Sequence, residues 1–335
     1  MPRGYRDAAT EGNVTMSAGA DRLRPEWTAL PLVLRARIVD VIGGRFVRDE
    51  PAQSGFSASY AGVVTTTKGK AFVKACARAW HPDSLHFLRA EMQALATLPP
   101  TVAPAVLGEV VETAGVALVL EAIDGRHPGS PWSVDDLHSI AATLSILSST
   151  KAPLDLPDAA DSMSDFTRWE KISHDEVLLA GLPPMVRERM PGLLHIEQDF
   201  RDAVSGDVIA HDDVRADNIL ISDGRARFVD WPHARRGAPW IDLPCLLPSV
   251  EASGGPACEE AWPLFEEHGA PPMREMLPVI SGFASYLWHG QAQPEIPQLP
   301  GLRAFQRAQA GPALRWLAAL LSESRGRAVT SPGMN

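Results

Sequence analysis

The chain has 335 residues, of which 45% are hydrophobic, enough for one large or two modest globular domains. Its formal charge of -10, from 41 acidic and 31 basic residues, argues against a nucleic-acid footprint and against attraction to an anionic membrane. Three well-separated cysteines, Cys76, Cys245 and Cys258, fit neither a disulfide framework nor a zinc site, and no run reaches about 18 apolar residues, so a reducing cytoplasm is the expected compartment.

The first 28 residues read as a flexible tail. From Leu30, the run LPLVLRARIVDVIGG places Leu32, Leu34, Ile38, Val39 and Ile42 near helical spacing and stops at Gly-Gly. RFVRDEPAQ, YAGVVTTT and KAFVKACA predict three strands, the last two joined by a turn at Lys68-Gly69-Lys70. HPDSLHFLRAEMQALATL then carries Leu85, Leu88, Met92, Leu95 and Leu98 on one helical face. Two more strands, Val106 to Glu112 and Val116 to Ile123, lead to a polar turn at Asp124-Gly125-Arg126.

Beyond that turn the pattern becomes helical. SVDDLHSIAATLSILSS opens on Ser133 as an N-cap, and LLHIEQDFRDAV predicts one further helix. VIA, NILIS and ARFVDW predict short strands around a Ser222-Asp223-Gly224 turn, and four helical candidates follow from DLPCLLPSV onward. The expectation is an α+β chain of two lobes: residues 29–122 with a five-stranded antiparallel sheet plus one helix, and residues 123–335 mostly helical.

The densest polar motif is IAHDDVRADNIL, at 209–220. Asp213 and Asn218 are five apart, the spacing of a kinase catalytic loop, in which the aspartate receives the acceptor hydroxyl proton and the asparagine holds magnesium. Asp230, after the hairpin, adds a hard oxygen donor of the kind magnesium prefers. Taken alone, this octet is equally well explained as turn chemistry in a solvated loop.

The N-terminal half supplies independent support. Lys74 lies inside the strand AFVKA, and Glu91 follows on the helix, where it could pair with the lysine and hold it against phosphates. Ser54, Gly55, Phe56 and Ser57, between the first two strands, could offer backbone N–H groups to phosphates, although one glycine makes a weak phosphate loop. The ordered set of loop, strand lysine, helix glutamate, hinge, aspartate, asparagine and aspartate points to phosphoryl transfer more strongly than any part does. His211 is expected to brace the loop and not to act as a base.

With HDDVRADNILI, FVDWPHARRGAPWIDL, SGFSASYAGVV and AFVKA in hand, the chain resembles the aminoglycoside phosphotransferase family of kinase-like small-molecule kinases, in its actinobacterial form, from about Leu30 to Leu321. The resemblance implies a bilobal protein-kinase-like fold, ATP or GTP in the interlobe cleft, Mg2+, and a hydroxyl acceptor such as an aminoglycoside or other antibiotic, with a resistance role. It implies Lys74 and Glu91 as the phosphate-positioning pair, Asp213 as the base, Asn218 and Asp230 as metal ligands, backbone contacts to adenine from Glu121 and Ile123, and Asp242 as a brace of the loop.

Two departures stand out. Asp212 replaces the family's usual glycine, so the backbone there cannot need a glycine-only conformation, and Arg215 could offset the added carboxylate. The phosphate loop is also glycine-poor. Glu251, Glu259, Glu260, Glu266 and Glu267 could meet a cationic substrate or form a solvated face. Trp288-His289 ends a helix that would line the acceptor pocket, although aromatic residues on helices are usually core. The competing readings are a catalytically silent nucleotide-binding sensor or scaffold, against which the intact polar set argues, and a protein kinase, against which the missing HRD arginine and the DWP in place of DFG argue.

Overall fold

The computed structural model describes residues 24–52, 59–80, 82–129, 131–296 and 301–328. Strands β1 (Phe46–Pro51), β2 (Tyr60–Thr66), β3 (Lys70–Ala77), β4 (Val106–Glu112) and β5 (Gly115–Glu121) form an antiparallel sheet in the order β1-β2-β3-β5-β4. Helices α1 (Leu32–Ile42) and α2 (Pro82–Leu95) flank it.

Strand alternation decides what each face does. In β3, Ala71, Val73 and Ala75 join an outer cluster with Trp27, Leu34 and Ile38, so α1 covers that face. Phe72 and Cys76 belong to the opposite, inner core with Leu88 and Met92 of α2, and Lys74 shares their parity. Leu32, although on the predicted apolar stripe, is 77% exposed, because the α1 contact is made through Leu34 and Ile38. The helix ends at Gly43, whose φ of 82° and N–H bond to Val39 make a glycine C-terminal stop.

The helical lobe begins with α3 (Val134–Leu147), where the Ser133 hydroxyl accepts from Asp136 N–H at 3.1 Å, the predicted cap. Six short helices follow, α4 to α9 (Ala159–Ser162, Trp169–Ser173, Glu176–Gly181, Pro184–Glu188, Met190–Gln198, Phe200–Val204). The single helix expected over LLHIEQDFRDAV is therefore two: at Asp199 the bonding tightens to an i to i-3 contact with Ile196, and the bend delivers Phe200 into the core.

Next come β6 (Val208–Ala210), β7 (Ile219–Ser222), β8 (Arg225–Phe228) and β9 (Arg235–Gly237). The β7–β8 hairpin turns through Asp223 and Gly224, both at positive φ, as a two-residue hairpin of this twist requires. β9, which the sequence pattern did not suggest, pairs with β6 and fixes the chain after the Asp230 motif. The large helices α10 (Asp242–Ala252), α11 (Cys258–Glu266), α12 (Leu277–Gln291) and α13 (Leu302–Ala328) close the lobe.

One apolar cluster runs from Leu118 and Leu88 of the sheet lobe through Ile140, Phe228 and Trp231 to Leu246 and Trp262. The lobes are thus welded behind the cleft. At the hinge, Arg227 of β8 contacts both Glu121 carboxylate oxygens at 2.8 Å, and Lys70 pairs with Asp124 at 2.6 Å.

Ile38→Ala leaves a void between α1 and the sheet, and is expected to cost about 2–5 kcal/mol in urea denaturation.

Candidate active site

The motif loop is built from β6 outward. β6 ends at Ala210, and His211 is fully buried against Trp231, ring centroids 4.4 Å apart. The His211 Nδ1 accepts from Asp213 N–H at 3.3 Å, which leaves Nε2–H to donate to the Val229 carbonyl at 3.0 Å. Burial pushes the imidazole down to about 4, so the ring is neutral near pH 7 and ties the loop to the segment carrying Asp230.

Asp242, the first residue of α10 and 4% exposed, accepts from two successive backbone N–H groups, His211 at 2.9 Å and Asp212 at 2.8 Å. This grip holds Asp212 at φ 62°, in the left-handed region. The conformation is left-handed but not glycine-only, as the aspartate at this position implied, because aspartate is among the few other residues that enter it readily. Arg215 is not its counter-charge. Arg235 of β9 faces Asp212, Nε to Oδ2 at 3.6 Å, while Arg215 is engaged by Asp217 at 2.6 Å. Burial, opposed by Arg235, pushes the Asp212 carboxyl up to about 8.

Asp213 lies at the cleft with its side chain one third exposed. Its Oδ2 and its own carbonyl both accept from Asn218 Nδ2 at 2.9 Å, and Arg215 stands 3.9 Å from Oδ1. Burial raises this carboxyl to about 7, with Arg215 opposing and Asp230 and Asp217 reinforcing the shift.

Across the cleft, Lys74 Nζ is 2.7 Å from both Glu91 oxygens and 2.7 Å from Asp230 Oδ1. Burial alone would lower the ammonium; Asp230 and Glu91 outweigh it and keep Lys74 charged. Burial likewise opposes ionisation of Asp230, yet Lys74 holds that carboxyl down at about 2. Asp230 sits beyond the end of β8, at φ 70°, and Trp231 N–H donates to Glu91 at 3.3 Å. Strand, helix and turn thus meet at one lysine.

The other predicted positions are mixed. Glu121 N–H is taken by the Ala105 carbonyl at 2.8 Å, and Ile123 lies half-buried at the hinge. Ser54, Gly55, Phe56 and Ser57 lie outside the described residues. Glu251 accepts from Cys258 N–H and pairs with Arg315, and Glu266 accepts from Met273 N–H, so these two acids brace helices. Trp288 is likewise structural, its Nε1–H donating to the Leu178 carbonyl. Sequence reasoning missed Arg235, whose RRG context was legible only as a basic pair, and Arg24, half-buried and within electrostatic reach of Asp230. A separate open groove of about 690 Å³ runs along the hinge, lined by Asp124, Arg126, Asp136 and Asp223, away from Asp213.

A paired lysine and glutamate facing a carboxylate, an asparagine and a second carboxylate across a cleft between two such lobes define a kinase-like phosphotransferase. Residues 50–275, well over half of the chain, match the phosphotransferase enzyme family (APH), and the chain belongs to that family of small-molecule kinases. Among solved structures it is similar to a choline kinase of Streptococcus pneumoniae (TM-score 0.53, 15% identity, 86% of this chain and 98% of that one). It is similar too to a spectinomycin phosphotransferase solved with ADP and spectinomycin (TM-score 0.55, 12% identity, 86% and 97%). A choline/ethanolamine kinase family protein of Mesorhizobium loti gives a TM-score of 0.55 at 16% identity, over 88% and 98%. At these identities the likeness is one of fold. No curated protein matches by sequence. No helix among the described residues is long and apolar enough to cross a membrane.

Two variants test the loop. Asp242→Ala strands two buried N–H groups, and is expected to cost about 2–3 kcal/mol and to lower activity, measured by denaturation and turnover together. For Asp212, the folded state retains a proton from pH 3.8 up to about 8 that the unfolded chain has lost, so its contribution falls as pH rises through that window. Asp212→Asn tolerates the same φ and cannot lose a proton, so its melting temperature should exceed that of the parent by more at pH 8 than at pH 5.

Proposed function

We propose that the protein transfers the γ-phosphoryl group of ATP or GTP to a hydroxyl of a small molecule, with Asp213 as the base. The observation that carries this reading is the convergence of Asp213 and Asn218, joined at 2.9 Å, with the Lys74–Glu91–Asp230 triad, its contacts at 2.7 Å. Residues 29–122 act as the nucleotide lobe and 123–335 as the lobe that holds the acceptor.

The residues fit a magnesium ion. The Asn218 amide nitrogen is committed to Asp213, which turns its carbonyl oxygen into the available donor, and the Asp230 carboxylate is ionised and about half exposed. Bound there, magnesium would neutralise charge on the donor phosphates. Lys74, held by Glu91, then exchanges its contact with Asp230 for the α- and β-phosphates. At the hinge the Glu121 N–H is occupied, so its carbonyl and the Ile123 amide are the groups that meet the base of the nucleotide.

Asp213 aligns the acceptor hydroxyl and takes its proton late in an in-line transfer. Its raised carboxyl value suits a group that must both accept and release a proton near neutrality. Arg215 lies 3.9 Å away and limits that rise. Asp212 in place of glycine removes none of the reacting groups, which supports an active enzyme.

Asp213→Ala is expected to lower turnover by about 10² or more while nucleotide affinity is kept, by analogy with losing one preorganised group. The assay is mass-spectrometric detection of one added phosphate across a panel of hydroxyl compounds, with ATP and GTP in parallel. Magnesium-dependent nucleotide binding without transfer to any compound would favour a silent sensor. Transfer to a generic protein would favour a protein kinase.

A further inference from the structure

Arg215 carries more donors than its loop uses. It precedes the tight turn of Ala216–Asn218, which the Asn218 N–H closes on the Arg215 carbonyl at 2.9 Å. Its side chain doubles back on the same turn: Nε donates to Asp217 Oδ1 at 2.7 Å and Nη2 to Oδ2 at 2.6 Å, a two-bonded fork. The guanidinium also lies over the Phe305 ring of α13, 5.5 Å from its centroid. Fork and ring together fix the direction and the plane of the group.

What they leave over is Nη1. It stands 3.9 Å from Asp213 Oδ1 and makes no hydrogen bond among the described residues. Oδ1 is also the carboxylate oxygen that Asn218 leaves alone, since the Asn218 amide holds Oδ2 at 2.9 Å. A separation of 3.9 Å is too long for a hydrogen bond, but a third oxygen could stand about 2.8 Å from each of the two atoms. The acceptor oxygen must meet Oδ1 and the transferred phosphorus at once, so the equatorial oxygens of the phosphoryl group gather at the same place.

The other cations of the cleft are engaged elsewhere. Lys74 bonds Glu91 and Asp230, Arg235 faces Asp212, and Arg227 bonds Glu121. Among the described residues only Arg215 pairs with Asp213. A fork that merely closed the turn would need Nε and Nη2; it would not call for a ring beneath the guanidinium or for Nη1 beside the free oxygen of the base.

We propose that Arg215 is a further catalytic residue, its Nη1 donating to an equatorial oxygen of the phosphoryl group in flight. This rests on the phosphotransferase reading. As the acceptor oxygen bonds to the γ-phosphorus, the bond from that phosphorus to the β–γ bridging oxygen breaks, and its electron pair leaves with the nucleoside diphosphate. The acceptor proton passes to Asp213 Oδ1. Arg215 exchanges no proton; it matches the negative charge on the equatorial oxygens, as an arginine held in cis does in some GTPases.

The test compares a ground-state ligand with a transition-state mimic, by isothermal titration of the full chain in magnesium with AMP-PNP and with ADP plus aluminium fluoride. The parent should bind the ADP–aluminium fluoride complex about 10²-fold or more tightly than AMP-PNP. Arg215→Gln should weaken that complex about 10²-fold and keep AMP-PNP within about 3-fold. The loss should be the same at pH 9 as at pH 7. Arg215 opposes the rise of the Asp213 carboxyl, so a variant acting only through Asp213 protonation would recover at pH 9, and such recovery overturns the proposal. Equal weakening of both ligands also overturns it. Phe305→Leu, which removes the ring under an intact Arg215, should cost about 3-fold of the same preference. If thermal melts show that Arg215→Gln does not fold, an unchanged preference in Phe305→Leu decides against the proposal. A preference in the parent that survives in Arg215→Gln sinks this proposal alone, whereas a parent that binds neither ligand sinks the phosphotransferase reading with it.

Discussion

The site depends on one buried carboxylate. Asp242 stands at the start of α10, where the helix end favours negative charge, and accepts the two consecutive N–H groups of His211 and Asp212. Those bonds set the left-handed turn at Asp212, and that turn aims Asp213 into the cleft. His211 repeats the device on the other side, bonding Asp213 N–H and the Val229 carbonyl, so the loop and the Asp230 segment move as one piece. A catalytic geometry good to a fraction of an ångström needs this kind of support, because a loop alone would wander.

Around that fixed point the cleft is organised by matched charge. Lys74 is shared between Glu91 and Asp230, Arg215 between Asp217 and Asp213, and Arg235 faces Asp212. Each carboxylate would be costly to bury alone, and each is tolerated because a cation stands close by. Burial opposes ionisation of both carboxyls, yet Lys74 holds Asp230 down at about 2, while Asp213, opposed only by the more distant Arg215, rises to about 7, so two carboxyl groups in one cleft differ in protonation because their neighbours differ. In the proposed reaction the first is the metal ligand and the second the proton acceptor.

Much of the fold was legible in the sequence because its signals are local. The period-two pattern of KAFVKACA assigns Lys74 to the inner face, Ser133 marks the start of α3, and Asp223-Gly224 closes a two-residue hairpin. What escaped notice is equally instructive. β9 is three residues long and owes its existence to pairing with β6, and the break at Asp199 follows from where Phe200 finds its core. The acidic residues of α10 and α11 look available for a ligand in one dimension, whereas Glu251 and Glu266 are used up in holding helix ends.

The sequence by itself determined the inventory and order of the polar groups assigned to the proposed reaction: strand lysine, helix glutamate, and the Asp213, Asn218, Asp230 series, because spacing within a loop or hairpin constrains which side chains can converge. It also determined membership of a phosphotransferase family. Only the tertiary structure decided the partners that cross long separations. Arg235 faces Asp212, Asp242 grips the loop from 31 residues away, and Arg215 lies over the Phe305 ring of α13. Those contacts arise from how helices and strands pack, and side-chain identity along the chain carries no record of which distant element will lie alongside.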